Sequence, residues 1–132
     1  MTRDEINERV AQALVQALGV SRNDITLETS LAGDLEAESI DFMDVVLRLE
    51  KDFGIEIARG ELFPQELLRD PAMVSNGHIT ADGVKALRER FSFTDLSALK
   101  PGLGIEDLMN KMLTVRLIVD YVEHKLKATS HA

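Results

Sequence analysis

The chain has 132 residues, 45% of them hydrophobic and only 5% aromatic, with a formal net charge of -8 and no cysteine. That length suits one domain with one modest core, and a core built from Leu, Ile, Val, Ala and Met favours helices over a β-sandwich. The charge excludes nucleic acid and anionic membranes as partners and attracts basic surfaces, while the missing cysteine excludes disulfides and any thiol chemistry of the chain's own, in keeping with a reducing compartment.

The N-terminus reads Met1-Thr2-Arg3-Asp4-Glu5, which has no apolar run behind a basic start, so no signal peptide is expected. No stretch is apolar for long enough to span a membrane. The first predicted helix opens at Thr2, which with Glu5 forms a capping box. Ile6, Val10, Leu14 and Ala17 recur at helical spacing, and Gly19 is the stop. A polar loop follows from Ser21 to Gly33, with Ile25, Leu27 and Leu31 as anchors on the core.

The second helix is predicted from about Ser39 to Phe53, with Gly54 as its stop. Asp41, Asp44, Arg48 and Lys51 share one outward stripe, and Ile40, Met43, Val46, Leu47 and Phe53 are expected to turn inward. Residues 34–57 hold eight acids and two bases, so -6 of the total -8 sits around this helix.

The 56 residues between Ile57 and Thr114 are less regular. Pro64 opens a short helix, Gln65 to Arg69, and Pro71 then forces an irregular path. Ser75-Asn76-Gly77 is a turn signal. Thr80 caps a helix to about Phe91, with Val84, Leu87 and Phe91 on one face. Thr94 or Asp95 caps a single turn before Pro101-Gly102, and Ile105 to Met112 reads as one more helix. The regular apolar spacing argues for a folded segment, most mobile at Ser75–Gly77 and Lys100–Gly104. The last helix runs from Thr114 to about Leu126. Val115, Ile118, Val119 and Val122 form its apolar stripe, and Lys125 and Lys127 suit its C-terminal dipole.

By position alone Ser39 reads as an N-cap. Ala37-Glu38-Ser39-Ile40-Asp41 is not a nucleophile elbow, and His78, His124 and His131 are scattered, so a hydrolase using Ser39 lacks partners. The histidines show no metal-ligand spacing and no loop has the order of a calcium site, so no catalytic or metal residue is assigned.

The whole segment carries more. Asp34-Leu35-Glu36-Ala37-Glu38-Ser39-Ile40-Asp41-Phe42-Met43-Asp44, followed by Leu49-Glu50-Lys51-Asp52-Phe53-Gly54-Ile55-Glu56-Ile57, resembles the acyl carrier protein family, whose modification motif is Asp-Ser-Leu at the start of an acidic second helix. Thr114-Val115-Arg116-Leu117-Ile118-Val119-Asp120-Tyr121-Val122 looks like the family's closing helix. The blocks cover residues 3–57 and 114–126. The resemblance implies an all-α bundle of three principal helices, with extra short helices from residues 58–113 as an insertion in one domain of residues 1–132. It implies a cytoplasmic monomer of bacterial type that is not an enzyme. It further implies that a phosphopantetheinyl transferase attaches 4'-phosphopantetheine to Ser39, with Glu38, Ile40 and Asp41 around it, and that the arm's thiol holds acyl groups as thioesters.

A helix N-terminus favours a phosphodiester, and the cofactor brings the sulfur that the chain lacks. The resemblance also implies that Asp41, Asp44, Arg48 and Lys51 form the face for acyl-transfer or condensing enzymes and that an acyl chain is sheltered among the helices, with Met43, Val46, Leu47 and Val115 as candidates for the lining, against the plainer reading of all four as core. Glu38 in place of Asp, Ile40 in place of Leu and the long insertion depart from the family pattern. The first bears on transferase preference and the second is mild; the insertion points to a specialised lipid, lipopolysaccharide or polyketide-type pathway. A peptidyl or aminoacyl carrier ranks lower, because such carriers tend to have glycines before the serine. A helical interaction protein that has lost the cofactor is the rival from another class.

Overall fold

A computed structural model describes residues 1–58, 60–64 and 66–130, with side chains through 128. Five α-helices carry the described chain: α1 (Arg3–Leu18), α2 (Ser39–Phe53), α3 (Ala81–Arg90), α4 (Ile105–Met112) and α5 (Val115–Ser130). Two strands of two residues each, β1 (Val74–Ser75) and β2 (His78–Ile79), complete it. The all-α reading is met, apart from this small hairpin.

Local chemistry sets the helix ends. The Thr2 hydroxyl oxygen accepts the Glu5 N–H at 3.2 Å, and the Glu5 carboxylate receives the Thr2 hydroxyl rather than its N–H. Thr80 caps α3 in the same way, accepting from the Gly83 N–H at 3.1 Å. Gly19 and Gly54 close α1 and α2 in left-handed conformations, where a residue with a Cβ is disfavoured.

α1 packs between α2 and α5. It presents Ile6, Val10, Ala13 and Leu14, while α5 buries Val115, Leu117, Ile118, Val119, Tyr121 and Val122. Each of the larger aliphatic side chains contributes roughly 1.5–3 kcal/mol by leaving water. The loop after α1 is clipped to the start of α5. Leu31 N–H donates to Leu113 C=O at 2.9 Å, Val115 N–H to Thr29 C=O at 3.0 Å, and Arg116 N–H to Leu27 C=O at 2.9 Å. Ile25 and Leu31 are buried beneath this clip and Leu27 is half-buried, so the three expected anchors are in place.

The segment 58–113 joins the same apolar cluster as α1, α2 and α5, through Leu62, Phe63, Leu67, Ile79, Val84, Leu87, Phe91, Leu96, Leu99 and Leu108. Its helix after Pro64 is shorter than expected, a single 3-10 turn at Leu67–Arg69; Gln65 lies outside the described residues. The Asn76-Gly77 turn has φ of 55° and 77°, the doubly left-handed geometry that matches the twist of a hairpin. It pairs Val74 with Ile79 and Ser75 with His78. Those strands are too short to show an alternating pattern in sequence. The Lys100–Gly104 stretch is pinned to the hairpin, with Gly102 N–H on Ile79 C=O at 2.8 Å and Ile79 N–H on Leu103 C=O at 2.9 Å. Asp95 caps a short turn by accepting the Ser97 N–H at 2.9 Å, and Thr94 instead donates to Asp120 on α5 at 2.6 Å.

Candidate functional site

The loop that delivers Ser39 is built by Ser30 and Asp34. Asp34 Oδ2 accepts the Ser30 N–H at 2.8 Å, and the Ser30 C=O accepts the N–H groups of Asp34 and Leu35, each at 3.1 Å. The Ser30 hydroxyl accepts the Gly33 N–H and donates to Asn110 Oδ1 on α4, each at 3.1 Å. A Cβ at Gly33 would lie 2.5 Å from that Asn110 oxygen, so a glycine lets the loop close on α4. Glu36 then takes a left-handed turn, with φ of 56°, and Ala37 N–H returns to Leu31 C=O at 2.9 Å.

Ser39 is the first residue of α2, and Glu38 is its N-cap. The N-cap reading of Ser39 is therefore corrected by one position. The reason is Asp41, whose carboxylate accepts the Glu38 N–H at 2.8 Å and seats the cap at Glu38, while α2 begins at Ser39 as expected. This leaves the Ser39 side chain without a capping task. It is exposed, and among the described residues its hydroxyl has no hydrogen-bond partner. The Ser39 and Ile40 amides also lack acceptors among the described residues, so the positive end of the α2 dipole is open beside the hydroxyl.

A groove of about 500 Å3 runs from Ser39 along α2 to Glu50. Phe42, Met43, Val46 and Leu47 form its helix wall, and Ile57, Ala58, Gly60, Leu62 and Phe63 the facing wall. Phe42 and Phe63 meet at the base with ring centroids 4.9 Å apart. Three of the four expected lining residues, Met43, Val46 and Leu47, line this groove. Val115 does not, because it is fully buried at the start of α5 under the loop clip. The walls from Leu62 and Phe63 have no counterpart in the sequence reading. Their only signal is an apolar pair just before Pro64, in a segment without clear periodicity.

The expected inward face of α2 needs correction too. Ile40, Met43 and Leu47 are 73%, 67% and 59% exposed, and the buried face is Phe42, Val45, Leu49 and Phe53. Val46 lies at the boundary, half-buried, and Phe53 is inward as expected. Both sets have helical spacing, and contact with α1 selects the one that carries two phenylalanines. Ile40, Met43 and Leu47 thus form an exposed apolar strip next to Ser39. Of the polar stripe, Asp41 and Asp44 are half-buried and Lys51 is exposed. Arg48 is engaged, donating through Nε to Asp44 at 3.1 Å and through a terminal nitrogen to Gln16 of α1 at 3.1 Å.

Neither His78 nor His124 lines the groove; His131 lies outside the described residues. No group of three or more potential metal ligands occurs among the described residues, and no described helix is long and apolar enough to cross a membrane.

Residues 8–69 match the family model described as a phosphopantetheine attachment site. An acyl carrier protein of Petrotoga mobilis is 37% identical over 62 residues, 47% of this chain and 73% of that protein. One of Rubrobacter xylanophilus is 39% identical over 57 residues, 43% of this chain and 70% of that protein. The matched span of the family model includes all of α2 and the groove walls, and it ends before the hairpin.

Proposed function

Since the chain belongs to the acyl carrier protein family, whose members hold 4'-phosphopantetheine covalently, we propose that Ser39 takes the arm and that the α2 groove shelters what the arm carries. When bound, the group supplies a thiol that holds acyl chains as thioesters. One observation carries the assignment to Ser39: an exposed, unbonded hydroxyl at the first position of α2, opening onto an apolar groove. The family match contains two other serines. Ser30 is buried and spends its hydroxyl on Gly33 and Asn110, and Ser21 precedes a 3-10 turn at Arg22–Asp24 and lines no part of the groove.

The residues around Ser39 then have separate tasks. The free amides of Ser39 and Ile40 favour a phosphodiester at the helix start. Glu38, Asp41 and Asp44 attract basic residues of a phosphopantetheinyl transferase and of acyl-transfer or condensing enzymes. Ile40, Met43 and Leu47 give those partners an apolar contact, and Met43, Val46 and Leu47 present the same wall to the acyl chain between encounters. The chain acts in this reading as a non-catalytic cytoplasmic carrier. Residues 58–113 form an insertion within one carrier domain and fit it to a specialised lipid, lipopolysaccharide or polyketide-type pathway.

The test is intact-mass analysis after incubation with coenzyme A, magnesium and a broad-specificity transferase. One arm should be added, and Ser39→Ala should abolish the gain. The variant should stay folded, since an exposed position that caps nothing costs within about 0.5 kcal/mol. No gain with several active transferases overturns the assignment.

A further inference from the structure

The groove beside Ser39 changes character at its far end. Its α2 wall runs away from Ser39 and its facing wall runs back, so Phe42 meets Phe63 near the start and Glu50 meets Ile57 at the end. There the Glu50 carboxylate accepts the Ile57 N–H at 2.9 Å. Glu50 also holds the turn that brings the chain back, because its C=O accepts the N–H groups of Gly54 and Ile55. One residue thus ties the two walls together and closes the groove. Nearer Ser39, from Ser39 to Leu47, no hydrogen bond joins the walls among the described residues.

Polarity changes at the same point. Among the described residues Glu50 is the one charged side chain that lines the groove. The next cleft shares Glu50, Ile57 and Ala58 with the groove and adds Glu56, Glu61 and Lys125. Glu50 is half-buried. A methyl end that reaches it strips water from a carboxylate, and that costs more than the burial of one further carbon gains.

Resting on the carrier reading above, we propose that Glu50 sets the length of acyl chain that the groove shelters, and that the cargo is an acyl group of short to medium length with a plain apolar end. From Ser39 to Glu50 is about 16 Å of helix at 1.5 Å per residue. An extended alkyl chain advances about 1.3 Å per carbon, the projection of a C–C bond of about 1.5 Å. The groove therefore takes at most about a dozen carbons. The arm stays outside, because its amides and phosphodiester find no partners on apolar walls. A longer chain has to bulge into water or push its end into the charged cleft. A cargo that ends in a carboxylate meets Glu50, Glu56 and Glu61 together, and they repel it.

The test loads the holo-protein with saturated acyl chains of about four to about sixteen carbons, a range that brackets the groove. Intact mass first establishes each load. Thioester cleavage by hydroxylamine is then timed, and the Ile57 amide signal is followed by NMR. Cleavage should slow by up to about four-fold per added carbon, the worth of one buried CH2, and stop slowing at or before about a dozen carbons. The Ile57 amide should shift only as the chain reaches that limit. Glu50→Leu carries the apolar wall onward, so the slowing should continue for about two further carbons. Glu50→Gln keeps an oxygen for the Ile57 N–H and so holds the turn, which makes it decisive even if the leucine variant does not fold. It should leave the shorter chains unchanged and slow cleavage of the chain just past the limit by about two-fold, since an amide costs less to desolvate than a carboxylate. Slowing that continues to the longest chain in the parent protein, or an unchanged rate for the chain past the limit in Glu50→Gln, overturns the proposal. Two other failures look different. Rates independent of chain length remove the groove as a shelter, absence of any arm removes the carrier reading, and each takes this proposal with it.

Discussion

α2 and α5 look alike in sequence and meet opposite fates. They have 15 and 16 residues and each mixes an apolar stripe with charge. α5 spends its stripe on the core, from Val115 to Val122, whereas α2 buries Phe42, Val45, Leu49 and Phe53 and still leaves Ile40, Met43 and Leu47 in water. α2 thus carries more apolar side chains than the fold needs, and the surplus is gathered beside Ser39. In the proposed reading this strip is the apolar contact offered to partner enzymes. α5 has no such surplus, because the 58–113 segment covers it: the Phe93 ring packs on Tyr121, and Thr94 donates to Asp120.

The strongest way to break the comparison is to remove that cover. Replacing residues 70–110 by a short polar linker deletes Ile79, Val84, Leu87, Phe91, Leu96, Leu99 and Leu108 from the core cluster. The melting temperature should fall by roughly 10 °C or more, while the groove walls and Ser39 remain. An unchanged melting temperature would make the segment an independent appendage, and partner docking its better explanation.

Single truncations sharpen the same contrast. Ile118→Ala on α5 should cost about 2–5 kcal/mol in urea unfolding, because it opens a cavity in a packed site. Leu47→Ala on α2 should change stability by no more than about 0.5 kcal/mol, yet speed hydroxylamine cleavage of a bound acyl thioester. Similar stability losses at the two positions would show that the α2 strip is covered in solution.

The polar edge of α2 yields a smaller effect. Arg48 is tied to Asp44 and Gln16, a surface arrangement worth about 0.3–0.5 kcal/mol per pair, and Lys51 is exposed. Changing Arg48→Ala together with Lys51→Glu extends the acidic face along the helix. Activity of the holo-protein with a generic ketoacyl synthase should rise at low salt, mainly through on-rate, and the gain should shrink as salt is added. Equal activity before and after the change, across salt, means that these bases do not select partners.

The smallest effect is electrostatic and lies where Glu61 meets Lys125 of α5. Burial raises the Glu61 carboxyl pKa, but the Lys125 ammonium, the Ala58 N–H and the nearby Tyr121 hydroxyl outweigh it and hold it below its ordinary value. An acid lowered in the folded state adds stability above its unfolded pKa, and that stability is lost as pH falls through the folded pKa. Glu61→Gln should therefore flatten the acid limb of the stability profile below about pH 4.5 and leave its slope near neutrality unchanged. The pair is partly exposed, so solvent screening keeps the change small. An acid limb of the same slope in the variant places that titration elsewhere.

Much of this was legible in the residues. Thr2 and Thr80 marked helix starts, Gly19 and Gly54 marked stops, and Ile105–Met112 is a helix as its spacing predicts. These signals are local: a cap or a stop is decided by hydrogen bonds between residues three or four apart. The acidic focus around Ser39 was equally plain, since charge is additive along a chain. The span of α2, Ser39–Phe53, was read from the sequence as it stands; only its cap was off by one, because Glu38, whose N–H the Asp41 carboxylate accepts, holds the position assigned to Ser39.

Only the tertiary structure decided which face of α2 turns inward. Periodicity allows both the Ile40, Met43, Leu47 strip and the Phe42, Val45, Leu49 face, and a helix alone has no reason to prefer one. Packing on α1 breaks that tie. The same holds for Val115, which the family resemblance offered as an acyl lining against the plainer reading as core, and which the 27–31 clip places under the core. It holds as well for Leu62 and Phe63, which become a groove wall only when the chain after Gly54 folds back along α2. Those contacts join residues far apart in sequence, and their energy is that of area removed from water, a quantity that no local pattern contains.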